Sequence, residues 1–234
     1  MKFKFFTFLV FYISCSISLV GQEIETADSL FYTRKYTEAN EIYESIYSTQ
    51  KASPSMLLKM AFIQEGLGNY ADALFFLNRY YGLTANKKVL VKMREIADEQ
   101  GLSGYEYSDK EFFGNLLYRY QTGVLGVLFA LSILLIATTY RYKKLKKQNY
   151  TPAILQVIVV SLLLAVSNDF FSKPKAIINQ DQTLLMTGPS AGAEPMDIIK
   201  KGHKVSILEI TDTWVKIGWG DEEGYIRKNR IKPI

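Results

Sequence analysis

The sequence predicts a multidomain membrane protein made of three unlike parts: all-α helical repeats, a two-helix transmembrane hairpin and a small all-β barrel. Three observations predict this. Two uncharged apolar runs, Thr122–Tyr140 and Pro152–Ser167, flank a short basic stretch. Upstream of them, apolar residues recur at helical spacing and a Tyr-x-x-Ala motif returns after 34 residues. Downstream, the period changes to two, and short strand-like segments alternate with turn residues. The expected boundaries are an export signal at 1–21, a helical-repeat domain at 22–121, a first span at 122–140, a basic cytoplasmic loop at 141–151, a second span at 152–171 and a β module at 174–234.

The N-terminal segment has Lys2 and Lys4, then an apolar stretch from Phe5 to Val20, then Gly21-Gln22. A cationic start, an apolar middle and a small residue before the cut are the layout of a secretory signal peptide, with cleavage expected near Gly21. Two alternatives stay open. The segment stays in place as an uncleaved anchor, or Tyr12-Ile-Ser-Cys15 acts as a lipoprotein box that makes Cys15 a lipidated terminus.

Between Gln22 and Gln121, Gly and Pro fall only between helical segments. Tyr36-Thr-Glu-Ala39 and Tyr70-Ala-Asp-Ala73 match at an offset of 34, as do Ala27 with Ala61 and Tyr43 with Leu77. Small residues let paired helices approach closely, and the large residue fills the seam. These motifs resemble tetratricopeptide (TPR) repeats, although the turn glycine Gly68 of the second copy is Arg34 in the first, and Leu30 stands opposite Gln64. Lys87–Gln100 reads as another helix and Asp109–Tyr120 as an aromatic-rich one, together a degenerate third repeat or a capping pair. The plainer alternative is an unrelated helical bundle. In TPR arrays the first helix of each hairpin lines the concave face, so the resemblance nominates Lys59 and Gln64 as partner-binding residues.

Thr122–Tyr140 offers 19 uncharged residues, and at ~1.5 Å per residue that matches a bilayer core of ~30 Å. The alternative is a soluble hairpin of two buried helices, which the all-round apolar surface disfavours. Between the runs, Arg141-Tyr-Lys-Lys-Leu-Lys-Lys carries five cations and no acid. The positive-inside rule therefore puts the loop in the cytoplasm and both flanking domains outside. The expected location is a bacterial inner membrane, crossed twice, with both terminal domains in the periplasm.

Past the second run, Lys175–Ile178, Thr183–Met186, Lys204–Ile210, Trp214–Trp219 and Gly224–Arg227 suit strands, separated by turns such as Gly188-Pro-Ser190 and Lys200-Lys-Gly202. Thr187-Gly-Pro-Ser190, Ile198-Ile-Lys-Lys-Gly-His-Lys-Val205, Trp214-Val-Lys-Ile217 and Gly224-Tyr-Ile226 resemble a bacterial SH3 (SH3b) domain, with Tyr225 where the family usually has Trp. Trp214 and Trp219 resemble a ligand-stacking pair, but the preferred reading is that Trp214 fills the barrel core or lies half-exposed at a strand start. Trp219 and Tyr225 are the partner-binding candidates of this module. His203 falls in a turn, where a solvated ring is the default, and Asp221-Glu-Glu223 reads as a solvated hairpin tip.

The net charge of +5 does not indicate nucleic-acid binding. Residues 22–121 hold 11 cations and 14 acids and residues 172–234 hold 10 and 8, whereas the basic loop supplies +5 and the N-terminus +2. One cysteine and one histidine allow no internal disulfide and suggest no metal cluster. No catalytic constellation or phosphate loop can be assembled, so no enzyme activity, metal or cofactor is expected. The order of modules is similar to the BatE-like family of aerotolerance-operon proteins. That resemblance implies a scaffold working beside von Willebrand factor A-type membrane proteins and a MoxR-associated complex. A peptidoglycan-binding sensor or adaptor is the competing expectation.

Overall fold

The computed structural model describes residues 22–49, 51–106, 109–145, 149–168, 174–220 and 222–234. The export segment with Cys15, loop residues 146–148, residues 169–171 of the second apolar run and Asp221 lie outside the described residues. The chain forms two compact units, one ending at Tyr80 and one beginning at Tyr81. The division falls inside the helix Tyr70–Thr84.

The first unit is helical: α1 (22–32), α2 (Tyr36–Ser48), α3 (Pro54–Gly66) and most of α4 (Tyr70–Thr84). Ser53 starts α3 by accepting the Met56 N–H at 3.2 Å, with Pro54 fixing the first helical residue. The two interhelical turns are built alike. Arg34 N–H donates to Phe31 O and Lys35 N–H to Leu30 O; 34 residues later Gly68 N–H donates to Glu65 O and Asn69 N–H to Gln64 O. Arg34 and Gly68 both adopt the left-handed conformation, at φ +64° and +76°. Arg34 thus takes the glycine position of the motif despite its side chain. The other positions related by this offset, Ala27 with Ala61, Ala39 with Ala73 and Tyr43 with Leu77, are all buried. Their side chains occupy helix seams, as the spacing requires.

The second unit holds α5 (Lys87–Gln100), α6 (Asp109–Arg119), α7 (Gln121–Lys144), α8 (Thr151–Ser167) and a β module. Asn86 caps α5 through the Lys88 N–H, and Gly101 closes it at φ +63° with the hydrogen-bond pattern of the two earlier turns. No second helix follows at once. Residues 102–106 are without helix, and the second of the two helices expected here follows as α6.

α7 is long and apolar enough to cross a membrane, and its last turn carries Arg141, Lys143 and Lys144. α8 is apolar but has 17 residues, about 26 Å of helix. The two pack together. Gln156 Nε2 donates to Ser132 Oγ at 2.8 Å, and Gln121 Nε2 donates to the Val166 carbonyl at 2.9 Å. Val127, Phe129, Leu134, Ile154, Val157 and Leu164 point outward.

The β module is one antiparallel sheet of β1 (Lys175–Ile178), β2 (Thr183–Met186), β3 (Pro195–Ile199), β4 (Lys204–Ile210), β5 (Trp214–Trp219), β6 (Glu222–Arg227) and β7 (Ile231–Pro233). Its order is β3-β2-β6-β5-β4-β1-β7. Register shifts at Leu185/Met186 and Ile207/Glu209 bend it. All seven strands contribute to one core, which includes Ile178, Leu185, Ile199, Ile207, Ile217, Ile226 and Ile231. The five expected strands are present. β3 and β7 are additional edge strands, and each contains a proline, which edge strands tolerate.

Candidate docking surfaces

In the helical unit, both sequence-derived candidates are engaged internally. Lys59 Nζ lies 2.6 Å from Asp28 Oδ1, and Tyr43 Oη donates to the same oxygen at 2.5 Å. One carboxylate therefore joins α1, α2 and α3. Burial alone would raise the Asp28 carboxyl, but the hydrogen bonds from Lys59 and Tyr43 and the Lys59 charge outweigh it and hold it below the usual range. The Tyr43 phenol is pushed up by burial and by Asp28. The Lys59 side chain is 11% exposed. Gln64 is buried; its Nε2 donates to Asn40 Oδ1 at 3.3 Å and Glu44 Oε1 at 3.5 Å, and its Oε1 accepts from Asn69 at 2.9 Å. An aromatic cluster also faces outward here: Tyr32 and Phe62 are exposed, and Phe31 meets Tyr32, Tyr36 and Phe62 edge to face at 5.4–5.7 Å. Helical spacing could not separate this patch from core packing.

In the β module, Trp219 packs partly against the core and donates from Nε1 to Asp197 Oδ2 at 2.9 Å. Tyr225 is half-buried on β6, opposite Met186 and Lys216 in register. Trp214 is half-exposed at the start of β5, with the Arg227 guanidinium 5.7 Å from its ring centroid. The two tryptophans have different neighbours and form no stacking pair; Trp214 lies half-exposed at a strand start, the plainer of the two sequence readings. A shallow depression at the β4–β5 turn is lined by Asp212, Thr213, Arg227, Lys228 and Asn229.

His203 corrects the expectation of a solvated ring. It is buried, meets Trp219 edge to face at 4.9 Å, and accepts the Ser103 N–H on Nδ1 at 2.9 Å. Burial first, then Lys200, lower its basicity, with Asp197 acting in the opposite sense. Further contacts come from the same upstream segment. Lys204 N–H donates to Ser103 O at 3.1 Å, and Tyr105 Oη donates to Gly202 O at 2.7 Å. Local sequence could not show this, because the partners lie about a hundred residues apart.

Comparison with known proteins bears on the β module alone. No curated protein matches the chain. Residues 186–232 match the bacterial SH3 domain family. The match begins at the end of β2, whereas the sheet also takes in β1, which lies between β4 and β7. Over β3 to β7, with β1 and β2 completing the sheet, the C-terminal module of this chain is a bacterial SH3 domain.

Proposed function

We propose that this protein is a non-catalytic, membrane-anchored scaffold that displays a TPR-like helical module and an SH3 module together in the periplasm. The observation that carries the reading is the contact of residues 103–105 with residues 202–204, on opposite sides of the apolar helices in sequence. Segments that touch lie on one side of a bilayer, so the chain between them crosses an even number of times. If α7 crosses, α8 supplies the return. Outward-facing apolar side chains suit lipid, and cations at the end of α7 favour a cytoplasmic loop. The 34-residue equivalence of turns and buried positions supports a TPR-like module. Two weak docking sites on one anchored chain gain avidity through effective concentration. The module order, similar to BatE-like proteins, points to von Willebrand factor A-type and MoxR-associated partners.

The bacterial SH3 match favours a second reading, in which this module grips peptidoglycan and the helical module recruits a protein. Both are tested on the full chain in detergent. Crosslinked capture of membrane-protein partners, with no retention on purified peptidoglycan sacculi, is expected for the scaffold. Retention on sacculi without a protein partner would replace it with the wall-binding reading. Turnover of a wall fragment or peptide by the purified chain would overturn both.

A further inference from the structure

We propose that Ser103–Tyr105 is a clasp that docks in cis on the start of β4, closing this face of the SH3 module at neutral pH and releasing it on acidification. The clasp stands whatever the SH3 module binds and however the chain meets the membrane.

Its geometry is specific. Ser103 pairs in both directions, donating its N–H to His203 Nδ1 at 2.9 Å and accepting the Lys204 N–H at 3.1 Å. Gly104, at φ +92°, lies so close that a Cβ there would collide with the Lys204 carbonyl. Tyr105 is buried, donates to the Gly202 carbonyl at 2.7 Å and places its ring 5.6 Å from the Lys204 ammonium. A serine of any conformation and a chance tyrosine would not need the glycine between them.

One member of this contact is an imidazole, the side chain whose ordinary titration lies closest to neutrality. Nδ1 accepts a hydrogen bond, so the docked ring is neutral and carries its proton on Nε2. Protonating Nδ1 sets one N–H against another and leaves the Ser103 N–H without its acceptor. The charged groups acting on the ring are Asp197 on β3 and Lys200 in the β3–β4 turn; Lys201 and Lys204 flank His203 in sequence, and the Lys204 ammonium lies over Tyr105. Trp219 on β5 offers a ring edge contact, and the Tyr105 phenol, pushed up by burial, stays protonated. Asp197 favours the imidazolium, but burial and Lys200 outweigh it. The clasped ring is therefore less basic than an open one. The clasp is at full strength above the ordinary histidine value of about 6.5, weakens as pH falls below it, and stops weakening once pH passes below the clasped value.

Hydrogen exchange on the full chain in detergent, corrected for intrinsic rates, tests this at about pH 8 and about pH 5.5. The amides of Ser103 and Lys204 should exchange several-fold faster at the lower pH, while those of β5 and β6 keep their protection. His203→Gln, which retains an acceptor without titrating, should remain protected at both. Gly104→Val should expose both amides at both values with β5 and β6 still protected. Unchanged wild-type protection, pH dependence surviving in His203→Gln, protection surviving in Gly104→Val, or simultaneous loss throughout the sheet would each overturn the proposal.

Discussion

Arg34 sits at φ +64° in a turn whose counterpart 34 residues later is Gly68 at +76°. A side chain in this region crowds its own backbone, and glycine removes the clash while adding unfolded-state entropy. Arg34→Gly should therefore stabilise the protein by about 0.5–1 kcal/mol, read as a higher Tm of the full chain, and Gly68→Arg should lower it. If the two changes move Tm in the same direction, the turns are not equivalent. Residue type made the second of these turns legible, because Gly68 is the type the geometry selects; the first, at Arg34, was legible only through the 34-residue offset. The polar candidates were harder to place. Lys59 and Gln64 were correctly located on α3, yet spacing could not reveal that Asp28, Tyr43, Asn40 and Asn69 would occupy their polar groups. His203 was misread because the residues that bury it are remote in sequence.

At the scale of elements, legibility followed periodicity. α5 was readable from its apolar spacing and its Gly101 stop, and β1, β2, β4 and β5 from alternation and turn residues. β3 escaped because four of its five residues are exposed, which leaves no alternating pattern, and β7 has only three residues. The seams between paired helices were legible through alanine. Ala39 and Ala73 are fully buried, in α2 and α4. A leucine at Ala73 must push close-packed neighbours apart, a change that costs about 1–3 kcal/mol. Thermal unfolding followed by circular dichroism should show a clear fall in Tm for Ala73→Leu. Glu41→Leu, at an exposed position on α2, should have little effect. Equal falls would show that the seam assignment is wrong.

For the molecule as a whole, the governing constraint is the path between residues 105 and 202. Tyr105 donates to Gly202, so the two sides of the apolar pair cannot be parted by a bilayer while that bond holds. α7 ends on Arg141, Lys143 and Lys144, and moving cations across a bilayer is unfavourable enough to set orientation. The α7 C-terminus is thus expected in the cytoplasm, with α5 and the SH3 module both outside. Gln100, Leu145 and Lys228 are exposed and report these three regions. Single substitutions Gln100→Cys, Leu145→Cys and Lys228→Cys, each with Cys15→Ser, should respond differently to a membrane-impermeant thiol reagent applied to spheroplasts. The first and last should label at once, and Leu145→Cys only after the membrane is permeabilised. Labelling of Leu145→Cys alone would invert the orientation while leaving the paired crossing intact. Labelling of only one of Gln100→Cys and Lys228→Cys would mean an odd number of crossings, and the contact between Tyr105 and Gly202 could not exist in the membrane-bound protein.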